Sequence, residues 1–554
     1  MKLTKYKDQD NLEEKNEQVK LMQRIYKSAF AVVVWLGPSA DESDAAAYFI
    51  ASIARRSIDY ERAILGRAND YEDGPPVGHY RLTPLDNPSD MKLMSWKILL
   101  SFFCRDYWRR LWSMYYCLQL NYINGVLVIQ ELALNHNMTL FLCGERQISR
   151  SMIRRTCDWC KDNSRFIDTF MAAKLDDVLT SVAPLNRSIY PTFYHVNTLV
   201  TIPGQLAEGT EIDTVLDLCR KAGVVRPLDK IYGLLGLLPS SLTVAITPDY
   251  NASQMHVYSQ FARRLLEQTN RADSVLSWCT YEEGSAMPSW VPNWMSRFHC
   301  NHLQWLRKHC ASENTTSQWS ISADYLYLTC RGIIADIIKD TSGSPSENLP
   351  YKTELPEVDL STTEKRSHCY ETKQGIAAAL QRIILQDRNG DRASKRNPLN
   401  INWINWNSIS SGDVAASLGS ISESARWEAF DQFRQTNAHF SLFGHHLKDF
   451  FPAMEAPVTA SPREEESLMH FATLTLIGRR LMTTESGYLG LVTEAVEEGD
   501  VVAVLYGCNF PVVLRRNGDR YWYLGACYID GMMKGEVVRR KMQGDLEEVD
   551  LTLC

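Results

Sequence analysis

Leu12-Glu13-Glu14-Lys15-Asn16-Glu17-Gln18-Val19-Lys20-Leu21-Met22-Gln23-Arg24-Ile25-Tyr26, running on to Ala31-Val32-Val33-Val34-Trp35-Leu36-Gly37-Pro38, is the stretch that decides the fold class. Val19, Met22, Tyr26 and Ala29 recur at helical spacing, so residues 12–29 read as a helix. Asp10 or Asn11 can cap it, and Glu13 and Glu14 sit in the first turn, where the helix dipole favours acids. Ala31–Leu36 is a short apolar, β-branched run stopped by Gly37-Pro38, the mark of a strand buried on both faces. Ser43 or Asp44 then opens a second helix through Ala45 to Arg56. Helices alternating with a strand indicate an α/β region built on a parallel sheet.

Outward from this stretch the pattern changes. Residues 66–90 hold Gly, Pro and Asp clusters and read as a surface loop. Residues 91–111 read as a helix ending in Tyr107-Trp108-Arg109-Arg110-Leu111-Trp112, and Met138–Cys143, closed by Gly144, as a short strand. The middle, about 150–335, reads as mainly helical. Residues 341–372 and 387–425 are polar and aperiodic, the composition of loops or weak order. Beyond Gly487 short apolar runs alternate with turns: Val501–Tyr506, Val512–Leu514 and Tyr521–Leu524 read as strands, with a hairpin signal at Asn517-Gly518.

Bulk composition excludes several classes. The 554 residues are 45% apolar and 23% charged, with net charge −7 and both signs mixed along the chain. No basic arm suggests nucleic-acid binding. Met1–Asn16 has no apolar core of a signal peptide, and no apolar run reaches the ~20 residues that span a bilayer. A cytoplasmic protein is expected, its 14 cysteines reduced and mostly buried.

Four separated blocks carry one resemblance. The first is Gln9–Val19 with the helix and the strand ending Trp35-Leu36-Gly37. The second is Trp108-Arg109-Arg110-Leu111-Trp112 and, after a gap, Val128-Ile129-Gln130-Glu131-Leu132-Ala133-Leu134. The third is Asp229-Lys230-Ile231-Tyr232-Gly233-Leu234-Leu235-Gly236-Leu237, with Ile246-Thr247-Pro248-Asp249-Tyr250 and Pro288-Ser289-Trp290-Val291-Pro292-Asn293-Trp294. The fourth is Gly487-Tyr488-Leu489-Gly490, Gly499-Asp500-Val501-Val502, Gly507-Cys508 and Tyr528-Ile529-Asp530-Gly531-Met532-Met533.

Together these blocks resemble fungal heterokaryon-incompatibility (HET-domain) proteins, and the resemblance implies a HET domain over residues 1–165, a helical middle over 166–335, an irregular or helical linker over 336–470 and a β-rich region over 471–554. Two departures stand out. Family members carry a strand, a helix and a second strand before the first block, where this chain has Met1–Asp8. The α/β core, a TIR-like parallel sheet, is therefore expected to be N-terminally incomplete, lacking its first strands. Ser113–Leu127 also separates Trp112 from Val128 in what should be one helix. Ser113-Met114-Tyr115 can be encoded by AGT-ATG-TAY, which contains a fungal 5′ splice consensus. The segment reads as an intron carried into translation; the alternative is a genuine loop.

HET domains are in turn distantly similar to TIR domains, some of which cleave NAD with a glutamate four residues after a tryptophan. With the insert set aside, Glu131 falls four residues after Trp112. The resemblance thus implies catalysis at Glu131 beside Trp112, with NAD as substrate, no bound cofactor and no metal. The other reading gives Glu131 only a helix-capping or salt-bridging role. Protein partners in non-self recognition and self-association are implied, with cell death as the outcome; the alternatives are a non-catalytic signalling module and an inactive degenerate member. Other motifs are weaker. Cys157-Asp158-Trp159-Cys160 has no second pair at zinc spacing, and His299, Cys300, His302, His309 and Cys310 read as ordinary residues more readily than as a metal site. Gly233 and Gly236 lack a dinucleotide fingerprint. Trp290 and Trp294 read as packing anchors.

Overall fold

The computed structural model of the chain describes residues 12–40, 42–65, 98–99, 101–103, 132–134, 139–162, 196, 200–201, 212–221, 224, 226–296, 309–343, 369–385, 433–450, 475–476 and 478–554. They form two compact units, one up to Val257 and one from Tyr258 onward.

The first unit opens as its sequence pattern requires. Helix α1 spans Leu12–Ser28, with Lys27 in the last turn where the dipole favours a cation. Strand β1, Val32–Trp35, pairs in parallel with β2, Thr139–Cys143, in the register Val32↔Thr139 to Trp35↔Leu142. A parallel pair needs a crossover, and helix α2, Ser43–Leu65, lies in that connection, running past the expected stop at Arg56. Its residues Ala46, Ile50, Ile53 and Ala54 are buried. Strand β3, Arg146–Ser149, returns antiparallel to β2 and leads into helix α3, Arg150–Asp162. Helices α2 and α3 pack on each other and against β3, and Arg155 donates to Ser57 Oγ at 3.2 Å between them.

One expectation for β1 is corrected. Val32 and Val34 are buried, but Val33 and Trp35 are each 56% exposed. The run of valines therefore reads like a doubly covered strand while only alternate side chains are buried; β-branched residues suit a half-buried pleat equally well. The expected loop 66–90 lies outside the described residues, and of the expected helix 91–111 only residues 98–99 and 101–103 are described, all helical. The unit continues with α4, Ile212–Lys221, α5, Asp229–Tyr232, and α6, Ser240–Thr243; α7, Gln254–Thr269, begins at its end.

The second unit is organised by strands. After α8, Asp273–Leu276, come β4, Trp319–Ile321, and the long β5, Leu328–Thr341. Helix α9, Lys373–Leu385, and a small hairpin of β6, Ser441–Leu442, and β7, His445–His446, follow. Strands β8, Arg479–Thr484, β9, Leu489–Thr493, β10, Val501–Leu505, β11, Val512–Asn517, β12, Arg520–Ala526, and β13, Tyr528–Ile529, lead to helix α10, Glu536–Gln543, and β14, Glu548–Leu553. Strand β5 pairs with β10, β10 with β11, β11 with β12, β12 with β14, and β14 with β5, so five strands close into a ring. Closure removes free edges. From β5 the sheet extends through β8 and β9 to β13. Ile333, Val502, Val504, Val513, Leu524 and Ile529 belong to its core.

Strand β5 crosses the boundary expected between residues 335 and 336. It starts inside the region expected to be helical (166–335) and ends inside the expected linker (336–470). Arg331, Gly332 and Asp336 break both helical and strand periodicity in its sequence. Gly332 is required by packing: a Cβ there would lie 2.7 Å from the Val504 carbonyl oxygen. The hairpin expected at Asn517-Gly518 forms one residue later. Asn517 pairs with Arg520, so Gly518-Asp519 is the turn, with Gly518 at φ 65.

Candidate functional site

Glu131 and Trp112, the residues singled out for catalysis, lie outside the described residues, as does the segment Ser113–Leu127. What the structure describes is the frame next to Glu131. Leu132, Ala133 and Leu134 are helical and buried. Arg150, at the start of α3, donates to the Leu132 carbonyl at 2.9 Å and also to Thr139 Oγ1 at the start of β2. One guanidinium thus ties the end of this helical turn to the parallel strand pair.

At the carboxyl ends of β1 and β2 a polar ledge forms. The Leu36 amide donates to Leu142 O at 2.8 Å, and Gly144 N to Gly37 O at 3.0 Å, so the strand pairing continues into both loops. Gly144 turns β2 into β3 with φ 56, and a Cβ there would sit 2.8 Å from Ser39 Cβ; turn geometry and close approach both demand glycine. This brings Arg146 to Asp44, Nε to Oδ1 at 3.0 Å, with Ser39 Oγ donating to Asp44 Oδ2 at 3.3 Å. Ser43 Oγ accepts from the Ala40 amide at 3.3 Å at the start of α2. Arg146 and Asp44 are more than half exposed, so their pairing is screened and weak. Crevices outside the carboxyl ends of parallel strands are where α/β sheets place ligands. A hydroxyl, a carboxylate and a guanidinium there can hold a ligand bearing hydroxyls or phosphate. Ser43 and Asp44 had been legible only as a helix start; Ser39 and Arg146 carried no signal, because their meeting depends on the β1–β2 pairing.

The first two parts of the third motif block, Asp229–Leu237 and Ile246–Tyr250, fold into one buried polar knot. Tyr250 OH donates to Asp229 Oδ1. Tyr232 OH donates to Asp249 O at 3.0 Å and accepts from Asp249 N at 3.1 Å. The two rings meet edge to face, 5.1 Å between centroids. Lys230 Nζ donates to Arg220 O at 2.8 Å, and the Tyr250 amide to Asn16 Oδ1 on α1 at 3.1 Å. Asp229 and Tyr232 are almost wholly buried. Burial, reinforced by the Asp229 carboxylate, raises the Tyr250 phenol well above its ordinary value. The knot locks α1 to the segment after α5 and has the character of a structural clasp.

The fourth block converges in the second unit. Strand β13 pairs with β9, Ile529 opposite Gly490, and the Asp530 amide donates to Leu489 O at 3.0 Å. A Cβ at Gly490 would lie 2.7 Å from Tyr528 O. Asp530 takes both arms of Arg382 from α9, at 2.6 and 2.8 Å. Tyr370 OH accepts from the Leu489 amide at 3.0 Å.

Of the remaining candidates, Cys157 and Cys160 are buried on α3, and burial holds both thiols well above their usual range. His309 packs edge to face on Tyr528 at 5.5 Å, and the Cys310 amide donates to Met533 O; His299, Cys300 and His302 lie outside the described residues. Among the described residues no three His, Cys, Asp or Glu side chains gather as a metal site. Trp290 and Trp294 are packing anchors: Trp290 Nε1 donates to Leu326 O at 3.2 Å, and Trp294 stacks near Phe261 and Trp278. No described helix is long and apolar enough to cross a membrane.

Residues 8–115 match the heterokaryon incompatibility protein (HET) family, and residues 423–547 match the Het-6 β-barrel domain. The chain carries a HET domain and a Het-6 β-barrel domain. This HET-domain protein is similar to heterokaryon incompatibility protein 6, OR allele, of Neurospora crassa, with 23% identity over 588 aligned residues covering 96% of this chain and 80% of the relative. No solved structure matches it. The HET match contains α1, β1 and α2 and stops three residues into Ser113–Leu127, short of Glu131. The barrel match contains β8 to β13, while β5 and β14, which complete the ring, lie outside it.

Proposed function

We propose that the chain acts in heterokaryon incompatibility: it takes part in non-self recognition after hyphal fusion, and its N-terminal unit triggers cell death. The observation that carries this is a likeness to heterokaryon incompatibility protein 6 that runs over 96% of the chain and includes both domain types. The test is deletion of the gene, followed by fusion of strains that differ at this locus. Heterokaryons that become viable only after deletion support the role; barriers unchanged by deletion sink it.

For the mechanism, the proposal is cleavage of NAD on a TIR-like core. The C1′–nitrogen glycosidic bond breaks, nicotinamide leaves with the electron pair, and water adds to the oxocarbenium-like ribosyl cation. Glu131 stabilises that cation and holds the ribose hydroxyls, the role carboxylates play in glycosidases. Two features support it. Strands β1 and β2 are parallel, and Ser39, Asp44 and Arg146 line their carboxyl ends.

A second reading is a non-catalytic signalling module that works by assembly. It is favoured by the apolar side chains on and before β1: Phe30, Val33 and Trp35 are all more than half exposed, as interaction surfaces often are.

A further inference from the structure

Strand β1 is the edge of its sheet. The strand order is β1-β2-β3, so β1 has β2 on one side and no described strand on the other. The pairing fixes where its backbone groups point. The Leu36 amide donates to Leu142 O, and the parallel register sets Trp35 opposite Leu142. Successive residues of a strand turn their backbone groups to alternate sides, so Val32, Val34 and Leu36 face β2. The amides and carbonyls of Val33 and Trp35 point to the open side, where no described residue meets them.

The side chains of the same two residues are exposed, while Val32 and Val34 are buried. Open edges are usually blunted by lysine, proline or a bulge. This one reads Val-Val-Val-Trp and keeps an unbroken register with β2. An apolar, unblunted edge is a template for strand addition. The strand is also complementary to itself. A two-fold axis through Val34, perpendicular to the sheet, pairs β1 antiparallel with its copy and sets Val33 opposite Trp35 of the second copy. Residues so opposed exchange both backbone hydrogen bonds. Their side chains lie on one face, an aromatic beside a β-branched residue, a pairing that stabilises antiparallel strands.

We propose that β1 is a self-association edge, at which two copies of the chain join β1 to β1 into one sheet continuous across both molecules. The inference rests on the reading of the chain as a signalling module that works by assembly, and it names the partner. The complementarity is of β1 with itself, which favours a second copy over an unrelated strand. The contact is isologous and closes as a dimer. A strand of four residues covers less than the ~1,200 Å² at which stable interfaces begin, so the dimer is transient and depends on concentration.

The experiment is sedimentation equilibrium of the full chain across a concentration series, with hydrogen exchange read over β1 in the same samples. The expected result is a reversible monomer–dimer equilibrium in which the outward amides of β1 exchange fast in the monomer and slowly in the dimer. Trp35→Lys puts a charge on the edge and should raise the dissociation constant about tenfold or more. Val33→Pro removes an outward amide, which an edge strand tolerates, and should weaken the dimer as much while the β1–β2 pairing persists. Tyr48→Lys, at an exposed position on α2, should change nothing. A chain that stays monomeric throughout overturns the proposal. So does a dimer that leaves the outward β1 amides exchanging freely, or one that both β1 variants form as well as wild type. Expression of Trp35→Lys in cells separates this claim from the assembly reading: undiminished killing, with the β1 dimer shown in solution, leaves the edge standing and sinks assembly as the trigger.

Discussion

Tyr250→Phe tests whether the buried clasp of the first unit holds it together. The substitution keeps the ring and its edge contact on Tyr232 and removes only the hydroxyl that donates to Asp229. A hydrogen bond to a charged acceptor contributes about 1.5–3 kcal/mol net, and more when its loss leaves a buried acceptor short of a donor. Asp229 is fully buried. The expected loss is therefore about 2 kcal/mol, a roughly thirty-fold rise in local opening. Because the raised phenol stays protonated through the alkaline range, the bond persists there too. A chain of two units is not a two-state system, so the assay is hydrogen exchange, read over residues 226–250 and over α1. Both segments should lose protection together, because the Tyr250 amide holds Asn16, while the barrel strands keep theirs. The double substitution with Asp229→Asn should be markedly less than additive. A change below about 0.5 kcal/mol, or loss of protection confined to residues 246–250, would refute the clasp.

Other outcomes follow from the second unit. Arg382→Met should cost about 1–2 kcal/mol, measured by hydrogen exchange over β9 and β13, because Asp530 keeps its buried position without its bidentate partner; Arg382→Lys should recover only part. Gly490→Ala should cost about 1–3 kcal/mol in the same assay, since the Tyr528 carbonyl cannot retreat as a flexible side chain would. Glu548 is held down to about 2, first by the Tyr506 hydroxyl and then by Arg331 and Lys541. Its folded value lies below the unfolded one, so its stabilisation is full above the usual carboxylate range and drains as pH falls towards 2. Glu548→Gln should flatten the acid limb of stability against pH there and leave the neutral-to-alkaline limb unchanged.

The reading of the sequence succeeded where local pattern and tertiary outcome agree. Helix α1 and the strand before Gly37 follow from periodicity and turn residues alone. The hairpin at β11–β12 was legible to within one residue, because only glycine accepts the backbone its turn needs. Two features were hidden for physical reasons. Val32–Trp35 is uniformly apolar, so nothing local says that Val33 and Trp35 face outward. Strand β5 is interrupted by Arg331, which pairs with Glu548, by Gly332, which makes room for a neighbouring backbone, and by Asp336, whose Oδ1 accepts from its own strand and from Ser486. Each exception is explained only by a partner far away in sequence. The same holds for the site: Ser39, Asp44 and Arg146 meet only because β1 pairs with β2 across more than a hundred residues.

The measurement that bears most directly on the proposed mechanism is cellular NAD and viability after induced expression of the full chain, beside Glu131→Ala at matched protein level. The account predicts that NAD falls before viability does, and that Glu131→Ala abolishes both losses. Cell death that proceeds at undiminished NAD, or that survives Glu131→Ala in a folded chain, would contradict it.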